Sequence, residues 1–306
     1  MIDVKKLHLE LTTKCNIHCE FCLRKNSRRY ELDYNVLTNF IKPHILKNLQ
    51  EIKMCGGLGE PTLYKDIFKL LPYFKKHNPN IRLNISSNGS TRDPNWWEEL
   101  AKILDDKDDV TFGIDGIDEI HNIHRTSDYR TILRNMEAFI EAGGVAHWQT
   151  IVFKHNQHQI EEMGRIANAM GATYEPKMSG FYDKGFEKPT IDVGARPSFI
   201  YKTRRKTEDL NFEEEEKCDL IYGRPFISVK GYFLPCPFLR TYDEFSEHQM
   251  LTDPKFFIKF YQYEKDLNIA NNTFEEIIKS PFFDWVNANR INLSTCIKYC
   301  GACNIK

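Results

Sequence analysis

Residues Cys15–Cys22 read CNIHCEFC, three cysteines in the spacing C-x3-C-x2-C. Three thiolates this close on a short loop can hold three irons of a cubane 4Fe–4S cluster and leave the fourth iron without a protein ligand. An open position of that kind is where a small molecule binds and is activated, and thiolates are the ligands soft iron–sulfur centres prefer. Zinc is the other occupant of short cysteine spacings. A structural zinc site is normally closed by a fourth Cys or His, and the only nearby candidate is His18, inside the loop.

Outward from the loop, the pattern alternates between periods of two and 3.6 residues. Strands are expected over 7–11, 51–55, 81–86, 110–114, 147–152 and 174–178. Helices are expected between them. Asp33 caps the first, which presents Leu37, Phe40, Ile41, Ile45 and Leu49 and is bent by Pro43. The others cover 63–77, a helix opened by Asp93 and Pro94, 128–142 and 157–170, the last two ended by glycines. Strands and helices in alternation argue for an α/β architecture with a parallel sheet, whose chemistry sits in the loops after the strands. Pattern alone does not separate a barrel from an open sheet.

Residues 180–211 lose this periodicity and read as a linker. Beyond it come Cys218, a hairpin over 225–235 turning near Lys230-Gly231, Cys236, a helix over 273–289 opened by a Thr273/Glu276 capping box, and the ending CIKYCGACNIK.

The chain has 306 residues, which at about 150 per domain suggests about two domains. Net charge is −1 and mean hydropathy −0.51, so composition gives no bias toward nucleic acid or a membrane. No apolar signal segment precedes the cysteine loop. Nine cysteines in short, clustered spacings point to metal rather than to disulfides and to a cytoplasmic, reducing setting.

The C-x3-C-x2-C spacing with Phe21 before its third cysteine resembles the signature of the radical S-adenosylmethionine superfamily. Three further loops carry the resemblance. CGGLGEPTL, residues 55–63, looks like the family's GGE-type motif, which implies that Gly57, Gly59 and Glu60 bind the methionine amino group. Ser87-Asn88-Gly89 is similar to the element near the ribose. GIDGIDEIHNIHR resembles the pattern after strand four, with Asp115 facing ribose or substrate and Arg125 pairing with the methionine carboxylate. Gly113 stands there in place of a small hydroxyl residue, so a hydroxyl contact is lost. Phe21 would lie against the adenine. His121 and His124 read as structural or solvated, and Cys55 as a small buried residue under the glycines.

The resemblance implies a partial (β/α)6 TIM-like barrel over 1–185, a linker over 186–215 and a SPASM/twitch domain over 216–306. In that domain Cys218, Cys236, Cys300 and Cys303 would enclose an auxiliary 4Fe–4S cluster or a structural zinc, with Cys296 as the surplus thiol or a replacement for one of the last two. It implies an enzyme in which Cys15, Cys19 and Cys22 hold the active cluster and S-adenosylmethionine is cleaved to a 5′-deoxyadenosyl radical that abstracts hydrogen. The auxiliary cluster would accept an electron, favouring oxidative modification or dehydrogenation of a sugar-like or peptide substrate. A reductase such as flavodoxin or ferredoxin would supply the first electron. No dedicated recognition segment precedes Leu7, which disfavours a leader-dependent peptide. The alternative of another class is a non-catalytic iron–sulfur electron carrier or zinc-stapled binding protein.

Overall fold

A computed structural model describes residues 3–19, 22, 29–55, 57–178, 186–191, 193, 223–239 and 253–296. The first strand, β1 (Lys6–Leu9), runs into the cysteine loop. Asp33 caps α1 (Tyr34–Phe40), accepting from the amides of Asn35 and Val36. Pro43 does not bend that helix. It ends it and occupies the first turn of a separate short helix, α2 (Pro43–Leu46), where a missing N–H costs nothing.

The chain then alternates through β2 (Glu51–Cys55), α3 (Ile67–His77), β3 (Arg82–Ser87), α4 (Pro94–Ile103) and β4 (Asp109–Gly113). A short α5 (Glu119–His124), not expected from the sequence, lies in the following loop. The alternation continues with α6 (Tyr129–Glu141), β5 (Ala146–Val152), α7 (Ile160–Ala169) and β6 (Thr173–Met178). Asp93 caps α4 through Trp96 N, as the sequence predicts, and Asp128, expected as the first residue of its helix, caps α6 through Thr131 N.

The last described part begins with β7 (Phe226–Ile227) and β8 (Phe233–Leu234), an antiparallel hairpin turned at Gly231, which adopts φ +79°. It continues with α8 (Pro254–Tyr263), also unexpected, and α9 (Phe274–Ile278). The Thr273/Glu276 capping box forms, but the single helix expected over 273–289 is two. Ser280 caps a new helix, α10 (Pro281–Asn289), because Pro281 cannot donate to the turn before it.

All described strands lie in one sheet, in the order β6-β5-β4-β3-β2-β1-β7-β8, parallel up to the final hairpin. The sheet is an open, partial barrel with β6 and β8 at its ends. Its two faces differ in chemistry. Leu7, Leu9, Ile52, Met54, Leu83, Ile85, Val110, Phe112 and Trp148 join one apolar core with Leu70, Phe74, Trp97, Leu100, Ile132, Met136 and Phe139 of the helices. The alternate residues are polar. Lys6 pairs with Glu51 at 3.1 Å, and Arg82 reaches Glu51 at 3.3 Å and Asp109 at 2.5 Å. On the far strands His147 Nδ1 lies 3.0 Å from Glu175, and Glu175 pairs with Lys177 at 2.9 Å. A closed barrel fills its interior with branched apolar side chains. This one leaves a polar, charged concave face instead. Among the described residues, no helix is long and apolar enough to cross a membrane.

Candidate active site

The cysteine loop is fastened at both ends. Leu32 N donates to Leu11 O at 2.9 Å and Thr13 N to Tyr30 O at 3.0 Å, with Tyr30 N returning to Thr13 Oγ1 at 2.8 Å. The glycine loop after β2 packs directly on it. Glu60 N donates to Lys14 O at 2.7 Å, and a Cβ placed on Gly59 would lie 1.8 Å from the Thr12 carbonyl oxygen. No side chain fits that approach, so the glycine is required by contact rather than by backbone angle.

Two buried carboxylates secure the arrangement. Glu10 accepts from Leu58 N at 2.7 Å. Glu60 accepts from Thr62 Oγ1 at 2.8 Å and from Asn88 N at 2.8 Å, joining the loops after β2 and β3. Burial pushes the Glu60 carboxyl up from its ordinary value, partly offset by the bonds from Asn88, Ser87 and Thr62. The loop after β4 is tied in by His18 N, which donates to Thr126 Oγ1 at 2.7 Å. All these contacts lie at the carboxyl ends of the strands, where parallel sheets carry their chemistry.

They surround one cavity of about 210 Å³. Of the residues singled out from the sequence, Cys15, Cys19, Cys22, Gly57, Gly59, Glu60, Ser87, Asn88 and Arg125 line it. Phe21, Cys218, Cys300 and Cys303 lie outside the described residues. Burial pushes the Cys19 thiol up to about 11, with Arg125 opposing and the Cys22 and Cys15 sulfurs adding. Three thiols lining one cavity are a donor set for iron–sulfur. His18 is exposed and absent from the cavity wall, so it does not close a zinc site there; the other thiol in the wall is Cys55. The residues present fit an open-sided 4Fe–4S cluster.

Asp115 is the expectation the structure changes most. It is fully buried and does not line the cavity. Oδ2 accepts from Arg125 Nε and from His124 Nδ1, each at 2.6 Å, and Oδ1 accepts from Ile151 N at 2.7 Å. Burial alone would raise this carboxyl, but Arg125 and then His124 hold it well below the usual carboxylate range. Asp115 therefore holds Arg125 from behind and is absent from the cavity wall. Arg125 is charged despite its burial, because Asp115 outweighs the desolvation. Its Nη1 and Nη2 lie 3.0 and 2.9 Å from where a Gly113 Cβ would stand. Gly113 is thus less a lost hydroxyl than the space the guanidinium occupies.

His121 is structural. It is buried, its Nδ1 accepts from Asp115 N at 3.1 Å, and so Nε2 donates to Ser127 Oγ at 2.8 Å. Burial first and Arg125 second lower its pKa to about 4, which keeps it neutral. Asn88 Nδ2 points at Cys15 Sγ, 3.7 Å away. Cys55, expected to be buried beneath the glycines, is only partly buried and lines the cavity. Sequence reasoning also missed Gln149 and Thr111 in the wall. The signal was present: His147, Gln149 and Thr111 are polar residues alternating with buried apolar ones, so they face the concave side.

Beyond the cavity, the first residues of the expected linker return to the loop after β5. Lys154 N donates to Glu187 O at 3.0 Å, and Thr190 N to Gln157 Oε1 at 2.7 Å. Cys236 and Cys296 are both buried in the common core.

Comparison with known proteins agrees with this geometry. The family model described as the Radical SAM superfamily matches residues 9–167. The chain is similar to the tungsten-containing aldehyde ferredoxin oxidoreductase cofactor-modifying protein of Pyrococcus furiosus, 25% identical over 79% of this chain and 74% of that one. It is also similar to the mycofactocin maturase MftC of Mycobacterium ulcerans, 29% identical over 54% of this chain, and spans 44% of that relative's length. In fold it resembles Streptococcus suis SuiB bound to S-adenosylmethionine, with a TM-score of 0.67 at 15% identity over 98% of this chain and 71% of that one. SuiB bound to its precursor peptide SuiA aligns with a TM-score of 0.65 at 15% identity, covering 99% of this chain and 72% of that one.

Proposed function

The chain belongs to the radical SAM superfamily of enzymes, and on that premise we propose that it carries out an oxidative radical modification of a polar substrate. The observation that carries the reading is the single cavity in which Cys15, Cys19 and Cys22 meet the glycine loop and the Arg125 guanidinium. When bound there, a 4Fe–4S cluster and S-adenosylmethionine supply a carbon radical able to take a hydrogen atom from the substrate.

The protein's own residues do the positioning. Cys15, Cys19 and Cys22 hold three irons. Gly57 and Gly59 keep the loop backbone near the ligand, with Glu60 beneath them. Arg125, fixed through Nε by Asp115, turns its Nη edge to the cavity, the geometry for a bidentate carboxylate. Ser87 and Asn88 bound the ribose side, and Phe21 lies against the adenine. The ionic concave wall of His147, Glu175 and Lys177 favours a substrate with hydrogen-bonding or charged groups, sugar-like or peptide, over an apolar one.

The same proposal includes the division into a core over 1–185, a linker and a twitch-type domain over 216–306. There Cys218, Cys236, Cys300 and Cys303 hold the auxiliary cluster, an electron acceptor for the substrate radical, and a reductase such as flavodoxin or ferredoxin reduces the first cluster. The test is anaerobic reconstitution with iron and sulfide, then dithionite and S-adenosylmethionine. 5′-Deoxyadenosine accumulates without substrate, and Cys19→Ala abolishes it. Iron-replete protein that forms none is not this enzyme. A Cys15/Cys19/Cys22 triple Ala variant retains about four irons per chain if the auxiliary site holds a cubane, and none if it holds zinc.

A further inference from the structure

We propose that Arg125 and Asn88, beyond any contact with S-adenosylmethionine, set the electron affinity of the cluster held by Cys15, Cys19 and Cys22. The inference rests on the cluster reading above.

Arg125 is a fixed cation at the cluster's wall. Asp115 takes its Nε at 2.6 Å on the side away from the cavity, and the absent side chain at Gly113 lets the Nη edge face in. The Asp115–Arg125 pair therefore presents its positive end to the thiolates. Among the described residues the guanidinium hydrogen-bonds through Nε, and the buried Glu60 carboxyl in the same wall offsets part of the charge. The site is partly buried, and charges interact more strongly there than in bulk water.

Asn88 acts on the sulfur itself. Its Oδ1 accepts from Ser90 N at 2.9 Å and from Ser90 Oγ at 2.8 Å, which fixes the amide so that Nδ2, not the carbonyl, points to Cys15 Sγ at 3.7 Å. Nδ2 also donates to Asn16 Oδ1 at 3.0 Å.

Reduction adds one electron, taken from an external donor, to a cluster already made negative by three thiolates. A nearby cation and a hydrogen bond to a ligand sulfur both stabilise the reduced form, and net charge and such bonds are known determinants of cluster potential. Both residues therefore raise the potential and ease reduction of the resting enzyme. A carboxylate bound to Arg125 would cancel part of this bias.

The experiment is a mediated redox titration of the anaerobically reconstituted full chain, without S-adenosylmethionine, followed by electron paramagnetic resonance. The Cys15/Cys19/Cys22 triple Ala variant defines the signal to subtract for any other cluster. At the potential that half-reduces the wild type, Arg125→Gln shows a reduced-to-oxidised ratio at least tenfold lower, which is about 59 mV for one electron. Arg125→Lys keeps the charge and stays within about threefold. Asn88→Leu shifts in the same direction as Arg125→Gln, by less. Because Arg125→Gln leaves Asp115 without its cation, the double variant Asp115→Asn/Arg125→Gln is run beside it and shifts in the same direction by less, since it removes the negative charge as well. Iron-loaded variants that titrate with the wild type overturn the proposal and leave the cluster reading intact. A wild-type chain whose iron does not depend on the three cysteines removes both.

Discussion

Gly113 and Arg125 share one volume: a Cβ on the glycine would stand 2.9 Å from Nη2 and 3.0 Å from Nη1 of the arginine. The arginine cannot simply swing aside, because its Nε is held by Asp115 at 2.6 Å. Gly113→Ala is therefore expected to displace the guanidinium from the cavity. The overpacking cost is about 1–3 kcal/mol, whereas affinity for S-adenosylmethionine falls about tenfold, or ~1.4 kcal/mol. Equilibrium binding to the reconstituted protein measures the loss, and unchanged affinity refutes the shared-volume account.

Gly59→Ala should be far more damaging. The added carbon meets a backbone carbonyl at 1.8 Å, and no rotamer relieves that. The glycine loop must separate from the cysteine loop. Iron content after reconstitution is expected to drop below half, with destabilisation of about 3 kcal/mol or more. Full iron loading at wild-type thermal stability would show that the two loops do not pack this way.

Cys55 lines the cavity with the three cluster thiols, so its removal separates a bystander from a ligand. Cys55→Ala is expected to load as much iron as the wild type and to keep the spectral response to S-adenosylmethionine. Loss of iron would make Cys55 a fourth ligand and close the open coordination position.

His121 makes stability depend on pH in a defined window. Its folded pKa is near 4 against 6.5 when unperturbed, so between these values the unfolded chain binds more protons than the folded one. The stability it contributes is complete above pH 6.5 and is lost as pH falls toward 4. From pH 7 to pH 5 this amounts to about 2 kcal/mol. His121→Asn is expected to flatten that part of the urea-midpoint profile, and an unchanged slope would assign the acid sensitivity elsewhere.

The strands and capped helices were readable because their signals are local: Asp33, Asp93 and Asp128 each precede an apolar period and each caps the helix it announces. The two helices misjudged both turned on proline. Pro43 reads as a bend and Pro281 is passed over inside one helix, when each is the first residue of a new helix, preceded by Lys42 and Ser280 at the cap positions. In the site, cysteine spacing and the glycine loop were visible, but the position of Asp115 behind Arg125 was not. Its charge is used ten residues away by Arg125 and across the sheet by Ile151 N, and no periodicity encodes such pairings. The same holds for Asn88, whose partner Cys15 comes from another strand's loop.

The pairing of β7 with β1 has a consequence for any shortened form of the chain. His8 N and Glu10 N donate to Pro225 O and Ile227 O, each at 3.0 Å, and Lys5 N and Lys6 N both reach Gly223 O. Removal of everything from residue 223 onward would strip those amides of their acceptors and leave a raw strand margin leading straight into the metal-binding loop. Such a margin recruits other chains, so a fragment ending before Gly223 would be expected to precipitate and to take up little iron, even though it contains all three of the first cysteines.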